Sequence, residues 1–134
     1  MERRIVVSAL IKFEDKYLFV KQDKTDGAYP GTLHLPGGSL EGDESIEDGI
    51  RREVREETGL KLVYVVPFDF DEDYLYYKGA MTHLIYLRFL AESETDVAIA
   101  ASDAKEIVWL KKDEIKNSKQ NSATIKMLKK LELI

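Results

Sequence analysis

The chain has 134 residues, of which 44% are hydrophobic and 34% charged, a balance that predicts a single globular domain over residues 1–134. The absence of cysteine excludes disulfides, thiolate metal sites and a cysteine nucleophile. The formal net charge of −5 argues against nucleic acid as a partner, because binding a phosphate backbone needs a basic surface. No apolar run approaches the roughly 20 residues that cross a bilayer, and no signal-peptide pattern opens the chain, so we expect a cytoplasmic location and no membrane partner.

The predicted elements alternate between strands and helices along the chain. β-Branched and apolar residues indicate strands, and a cluster of Gly and Pro indicates a long loop before the first helix. In chain order we predict strands over residues 3–13 and 17–21, a loop over 23–38 with a short apolar piece at 33–35, a helix over 45–58, strands over 61–71, 81–91 and 106–110, and a helix over 121–133. Strands on both sides of a central helix predict an α/β fold with a mixed sheet packed by helices.

The central helix has signals at both of its ends. Ser45 and Asp48, three residues apart, approximate a capping box at the N-terminus, and Gly59 stands where a left-handed C-terminal cap belongs. At about 100° per residue, an apolar stripe runs along one face of this helix and is formed by Ile46, Ile50 and Val54. This face is expected to point into the protein.

Three glutamates interrupt that apolar face near the end of the helix. Glu53 and Glu57 fall on the apolar stripe, and Glu56 lies just to one side. Partly buried carboxylates need partners, like charges at this spacing repel one another, and negative charge opposes the helix dipole at its C-terminus. A hard divalent cation with oxygen ligands, Mg²⁺ or alternatively Mn²⁺, would relieve all three conflicts. The alternative, a solvated charged face, is disfavoured because the acids share the apolar stripe.

Two glycines lead into this helix and complete the pattern. Gly37 and Gly38 allow backbone groups to come close to phosphate oxygens or to a metal. Gly38, five residues, Glu44, seven residues and then the run REVREETGL over residues 52–60 match the Nudix box at every specified position. The chain is therefore identified as a member of the Nudix hydrolase family (MutT-like). It also resembles, more loosely, bacterial pyrimidine deoxynucleoside triphosphatases in the first strand, at residues 26–31 and at residues 121–124.

This resemblance implies an α/β/α sandwich around a mixed sheet and assigns roles to residues of the box. The implied metal ligands are the side chains of Glu53, Glu56 and Glu57 with the Gly38 carbonyl, and Glu44 and Arg52 correspond to a pair that orients the helix. Many members carry a further glutamate six residues before a late tryptophan, here Trp109, which serves as a base or as a metal ligand. Asp103, one methylene shorter, stands at that position, and the nearby Glu106 is the alternative.

The activity that the resemblance implies is hydrolysis of a phosphoanhydride bond in a nucleoside diphosphate linked to a further group. Small size and the looser resemblance to the pyrimidine deoxynucleoside triphosphatases favour a (deoxy)nucleoside triphosphate, cut to monophosphate and pyrophosphate. Glu53 or Glu56 is expected to position the attacking water, with Asp103 or Glu106 as accessory base. Gly37 is a weaker candidate for contact with the substrate.

Other functions remain open on the sequence. Hydrolysis of a dinucleoside polyphosphate, a nucleotide sugar or ADP-ribose is the nearest alternative, and Tyr76 and Tyr77 favour the first, since some dinucleoside polyphosphate hydrolases carry a tyrosine about this far after the box. A non-catalytic Nudix-fold nucleotide sensor is the alternative from another class, although such modules often lose box glutamates. A homodimer is expected on general grounds.

Overall fold

The computed structural model describes residues 1–21, 32–100 and 106–134. Its main elements follow the predicted order: an N-terminal hairpin, the central helix, a second hairpin, a late strand and a C-terminal helix. They are β1 (Glu2–Phe13), β2 (Lys16–Lys21), β3 (Leu33–His34), β4 (Gly37–Ser39), α1 (Ile46–Thr58), β5 (Leu62–Tyr77), β6 (Ala80–Ser93), β7 (Glu106–Lys111), α2 (Lys112–Ile115) and α3 (Ser122–Lys130). Residues 23–31 of the predicted loop lie outside the described residues.

The strands form one mixed sheet around β1. This strand runs parallel to β6, with Glu2 opposite Thr82 and Lys12 opposite Glu92. Its other edge is shared by two antiparallel partners, β4 along residues 6–8 and β2 along residues 11–13. β5 and β6 form a long antiparallel hairpin at one side of the sheet, and β2 pairs with both β3 and β7 at the other. The parallel β1–β6 pair makes the sheet mixed, as predicted.

Hydrophobic clusters on both faces of the sheet produce the three layers of an α/β/α sandwich. Ile50 and Val54 of α1 are fully buried in the cluster on one face. Ile115 of α2, with Met127 and Leu128 of α3, is fully buried in the cluster on the other. The helices therefore pack on opposite sides of the sheet because each buries one apolar stripe against it. No helix in the described part of the chain is long and apolar enough to span a bilayer.

The structure differs from the predictions at several points, including the end of β5, which extends to Tyr77 instead of residue 71. Gly37 and Gly38, expected in a loop, form β4 with Ser39 and pair with β1, because two residues without side chains can approach β1 closely. A side-chain carbon at Gly37 would overlap the carbonyl oxygen of Val7. Ile46, expected on the buried stripe, is 43% exposed in the first turn of α1. The four-residue helix α2 was not predicted, because so short a segment shows no periodicity.

Candidate active site

Both predicted caps of helix α1 are present, and they fix where its acidic end lies. The Ser45 hydroxyl accepts from the Asp48 N–H at 3.1 Å. Gly59 adopts a left-handed conformation with φ of 74°, and its N–H donates to the carbonyl of Arg55. The burial of Ile50 and Val54 against the sheet fixes the orientation of α1, and Glu53, Glu56 and Glu57 line the cavity beside β4.

Two of these glutamates meet the glycines of β4 directly. Glu57 is 5% exposed, and its Oε1 accepts a hydrogen bond from the Gly37 N–H at 2.8 Å. The Glu53 carboxylate lies so close to Gly38 that a Cβ there would be 2.5 Å from Glu53 Oε2. The pairing of β4 with β1 thus brings a glycine backbone against the two carboxylates that share the apolar stripe of α1.

Arg52 organises the remaining acids around the helix. Its guanidinium donates to both oxygens of Glu44, at 2.7 and 2.9 Å, and to the carbonyl of Ser39 at 3.2 Å. The same side chain donates to Glu53 at 2.9 Å and to Glu56 at 3.2 Å. The bidentate bond to Arg52 lowers the pKa of Glu44 to about 2, so this pair stays fully charged at neutral pH. Glu44 and Arg52 therefore lie together, and they tie α1 to the segment after β4.

The pKa of Glu53 is shifted by its surroundings. Burial raises its pKa above the usual value for a glutamate, and the bond from Arg52 offsets only part of this effect. Its side chain is 14% exposed, compared with 49% for Glu56. A carboxylate with a raised pKa is a stronger base, which suits Glu53 to accepting a proton.

The donor set at this end of α1 fits a divalent cation. Its groups are oxygens only, from Glu53, Glu56 and Glu57 and from the backbone around Gly38, and such ligands suit hard cations. No three of the described His, Asp and Glu side chains already stand in a metal-binding arrangement. Arg52 holds one oxygen each of Glu53 and Glu56, and the Gly37 N–H holds one oxygen of Glu57.

These groups face a cavity of about 420 Å³ beside β4. Six of the predicted site residues line it, namely Gly37, Gly38, Glu53, Glu56, Glu57 and Tyr77. Tyr76 does not line it and is 69% exposed. Glu106 is exposed at the start of β7, opposite Lys21, and is also absent from the described lining, so the structure does not bring it to the carboxylates. Asp103 lies outside the described residues.

Several polar residues that were not predicted also line this cavity. They come from the inward faces of β1 and β6, from the turn between β5 and β6, and from the start of α3, and include Arg4, Lys78, Tyr86, Arg88, Asn121 and Thr124. Arg88 is 2% exposed although it lies in an otherwise apolar strand. A charged residue inside an apolar strand was the available sequence signal, because charged residues are almost never buried without a specific partner.

Comparison with known proteins agrees with this geometry. A family model described as the NUDIX domain matches residues 2–131 of the chain. The chain belongs to the Nudix hydrolase family. It is similar to a nucleoside triphosphatase NudI from Klebsiella pneumoniae (strain 342), with 34% identity over 131 residues that cover 92% of this chain and 93% of the relative.

Two solved structures illustrate the range of Nudix proteins with this fold. A MutT protein from Methanosarcina mazei is 27% identical, with a TM-score of 0.73 over 91% of this chain and 86% of that one. The Nudix domain of Shewanella oneidensis NrtR, solved with ADP-ribose, has a TM-score of 0.79 over 98% of this chain and 88% of that one. At 16% identity, the second comparison shows the fold alone.

The close approach of Gly38 to Glu53 leads to a first prediction. Gly38→Ala should lower kcat/KM by about 10²-fold, because the new methyl group must displace the Glu53 carboxylate, and shifts of about 1 Å in a reacting group have effects of this size. The matched control is Gly42→Ala, where an added Cβ meets nothing within 4 Å. Gly42→Ala should retain activity, although its φ of 42° will cost some stability. Equal activity of the two variants would contradict the assigned geometry.

Proposed function

We propose that this Nudix hydrolase cuts a (deoxy)nucleoside triphosphate to the monophosphate and pyrophosphate, with Mg²⁺ as its cation and Mn²⁺ as the alternative. The observation that carries the proposal is the convergence of Glu53, Glu56, Glu57 and Gly38 on one cavity. The choice of a triphosphate rests on the similarity, over nearly the whole chain, to a relative named a nucleoside triphosphatase.

The residues that would hold the cation are Glu53, Glu56 and Glu57, with the carbonyl of Gly38. When bound, a divalent cation neutralises phosphate charge and lowers the pKa of a water molecule. Arg52 and Glu44 keep α1 in the orientation that presents these carboxylates. The Gly37 N–H holds one oxygen of the buried Glu57. Arg52 holds one oxygen each of Glu53 and Glu56, which leaves the second oxygen of each of these two carboxylates for the cation or the water.

Glu53 is the proposed base that positions and deprotonates the attacking water. Its raised pKa and its place between Gly38 and Arg52 support this role. Glu56, more exposed, is the second candidate. Asp103 and Glu106 stay predictions as accessory bases, and the position of Glu106 on β7 disfavours it.

We retain the predictions of one domain over residues 1–134, a cytoplasmic location, a homodimer, and no nucleic-acid partner in view of the net charge of −5. Size-exclusion chromatography with light scattering measures the oligomeric state directly.

A substrate panel tests the proposed activity. The purified protein would be incubated with Mg²⁺ and, separately, with (deoxy)nucleoside triphosphates, diadenosine polyphosphates, ADP-ribose and nucleotide sugars, and the products resolved by ion exchange. We expect the highest kcat/KM with a triphosphate and loss of turnover in Glu57→Gln. Turnover of dinucleotides or sugars alone would retain the reaction class and overturn the substrate. Nucleotide binding without any turnover would identify a sensor instead.

A further inference from the structure

Arg4 reaches into the cavity from β1, across β4 from the carboxylates. Its Nη2 donates to the Ser39 hydroxyl at 2.7 Å, and its guanidinium carbon lies 5.2 Å from the centre of the Tyr77 ring. The ammonium of Lys78 lies 5.4 Å from the centre of the same ring. The Tyr77 ring thus makes cation–π contacts with both Arg4 and Lys78, and all three residues line the cavity.

Arg4 and Lys78 have no carboxylate partner among the described side chains, in contrast to Arg52 and Arg88, two other arginines near the cavity. Within the described residues, neither Arg4 nor Lys78 forms a salt bridge, although both line a cavity that is also lined by four glutamates. Arg52 is neutralised by Glu44, and Arg88 is neutralised by Asp69. The uncompensated positive charge of the cavity therefore lies at Arg4 and Lys78.

The strand register places this positive charge at one end of the cavity. Arg4 is opposite Leu84 in the parallel β1–β6 pair, and Ser8 is opposite Arg88, four residues further along. Four residues of strand correspond to about 13 Å. Gly38 pairs with Val7 and Gly37 with Ser8, so the carboxylates that contact these glycines lie about three to four strand residues from Arg4 and nearer to the level of Arg88.

The opposite end of the cavity has a different chemistry. Asn121 and Thr124, at the start of α3, are neutral hydrogen-bonding residues, and the Ala123 carbonyl there accepts a bond from Arg88. Since the charge of Arg88 is already balanced by Asp69, this end attracts no anion of its own. The neutral end, the carboxylates on the side of the cavity nearer to it and the cationic end beyond them match the nucleoside, the scissile linkage and the distal phosphates of a triphosphate.

We propose that Arg4, supported by Ser39 and Tyr77 and joined by Lys78, binds the distal phosphates of the substrate, which leave as pyrophosphate. This inference rests on the proposed triphosphate hydrolysis and specifies the direction in which the substrate lies. Arg4 offers several guanidinium N–H groups, of which Ser39 takes one, so the others are free to donate to phosphate oxygens. Stacking on Tyr77 holds the guanidinium in place before substrate arrives.

The test measures binding of inorganic pyrophosphate by calorimetry in the presence of Mg²⁺, together with steady-state kinetics on a triphosphate. Arg4→Gln should weaken pyrophosphate binding and raise KM by about 10- to 100-fold, the range for losing charge-assisted hydrogen bonds, with a much smaller fall in kcat. Binding of the nucleoside monophosphate product should be unchanged. Lys78→Gln, in an exposed turn where it cannot disturb the core, should weaken pyrophosphate binding less, in the same direction.

The matched control is Arg3→Gln. Arg3 is the neighbouring residue on β1, and its guanidinium bonds to His83 at 3.0 Å instead of facing the cavity. Wild-type pyrophosphate binding in both Arg4→Gln and Lys78→Gln would overturn the inference, as would an equal loss of monophosphate binding. Absence of triphosphate turnover in the wild-type protein would instead refute the proposed function, because pyrophosphate binding is measured independently of turnover.

Discussion

Replacing Glu53 by Gln is expected to reduce turnover of a nucleoside triphosphate by about 10²- to 10⁴-fold, the contribution typical of a general base. Glutamine keeps the shape of the side chain and can still accept the bond from Arg52, but it cannot take a proton and carries no charge for a cation. The measurement is kcat and KM with Mg²⁺ at neutral pH. Full activity in this variant would contradict the role given to Glu53.

The stability of this variant separates catalysis from folding. Since burial raises the pKa of Glu53, its contribution to stability is present at acid pH and is lost as the pH rises through the raised pKa. At neutral pH the charged carboxylate is therefore a cost, and metal-free Glu53→Gln should melt no lower than the wild type. Glu47→Gln is the matched control on the same helix, because Glu47 is 62% exposed and makes only a 3.8 Å pair with Arg51. It should leave both activity and melting temperature unchanged.

Asp69→Ala is expected to lower the free energy of unfolding by about 3 kcal/mol, the lower end of the range for removing one partner of a buried ion pair. Arg88 is 2% exposed, and Asp69 accepts from it at 2.7 and 3.0 Å. Asp71, 3.6 Å from Arg88, would retain part of the interaction, which keeps the expected loss near that lower end. Urea denaturation of the two proteins measures the difference.

The stability contributed by the Asp69–Arg88 ion pair should depend on pH in one direction. Burial alone would raise the pKa of Asp69, but its bonds from Arg88 and Lys130 outweigh burial and hold the pKa below the usual value. The stabilisation is therefore present at neutral pH and is lost as the pH falls below the ordinary carboxylate range toward that lowered pKa. The difference between wild type and Asp69→Ala should shrink accordingly in acid.

Two further variants test whether the loss of stability in Asp69→Ala comes from the buried charge of Arg88. Asp96→Ala removes the partner of Lys16 in a much more exposed pair and should cost far less. The double variant Asp69→Ala/Arg88→Met should lose less stability than Asp69→Ala alone, because it leaves no uncompensated charge in the interior. If Asp69→Ala were as mild as Asp96→Ala, Arg88 would not depend on Asp69 for its burial. Arg88 also bonds to the Ala123 carbonyl, so the position of α3 at the cavity depends on the same pair.

The carboxylate centre could be predicted from the sequence because its information is local. The spacing of Glu53, Glu56 and Glu57 on one helix, between a predicted N-cap and a predicted C-cap, is enough to place them together. Glu44 and Arg52 follow from the same segment. These residues could be placed together without knowing how distant strands pair.

The rest of the cavity depends on strand register across long sequence separations. Arg4 and Arg88 line the same cavity only because β1 runs parallel to β6, and no local pattern sets that register. Tyr76 and Tyr77 point to opposite faces of β5, and two irregularities earlier in this strand, at residues 62–64 and 67–69, shift which face each reaches. The sequence could therefore nominate both tyrosines but could not tell that Tyr77 lines the cavity and Tyr76 does not.

The most direct test of the central claim is ³¹P NMR of a single triphosphate incubated with the metal-free protein, before and after addition of Mg²⁺. The account predicts no change before Mg²⁺, and afterwards loss of the triphosphate signals with equal growth of monophosphate and pyrophosphate. Glu53→Gln should leave the spectrum nearly unchanged on the same timescale. Release of orthophosphate and a diphosphate, or an unchanged spectrum with wild-type protein and Mg²⁺, would contradict it.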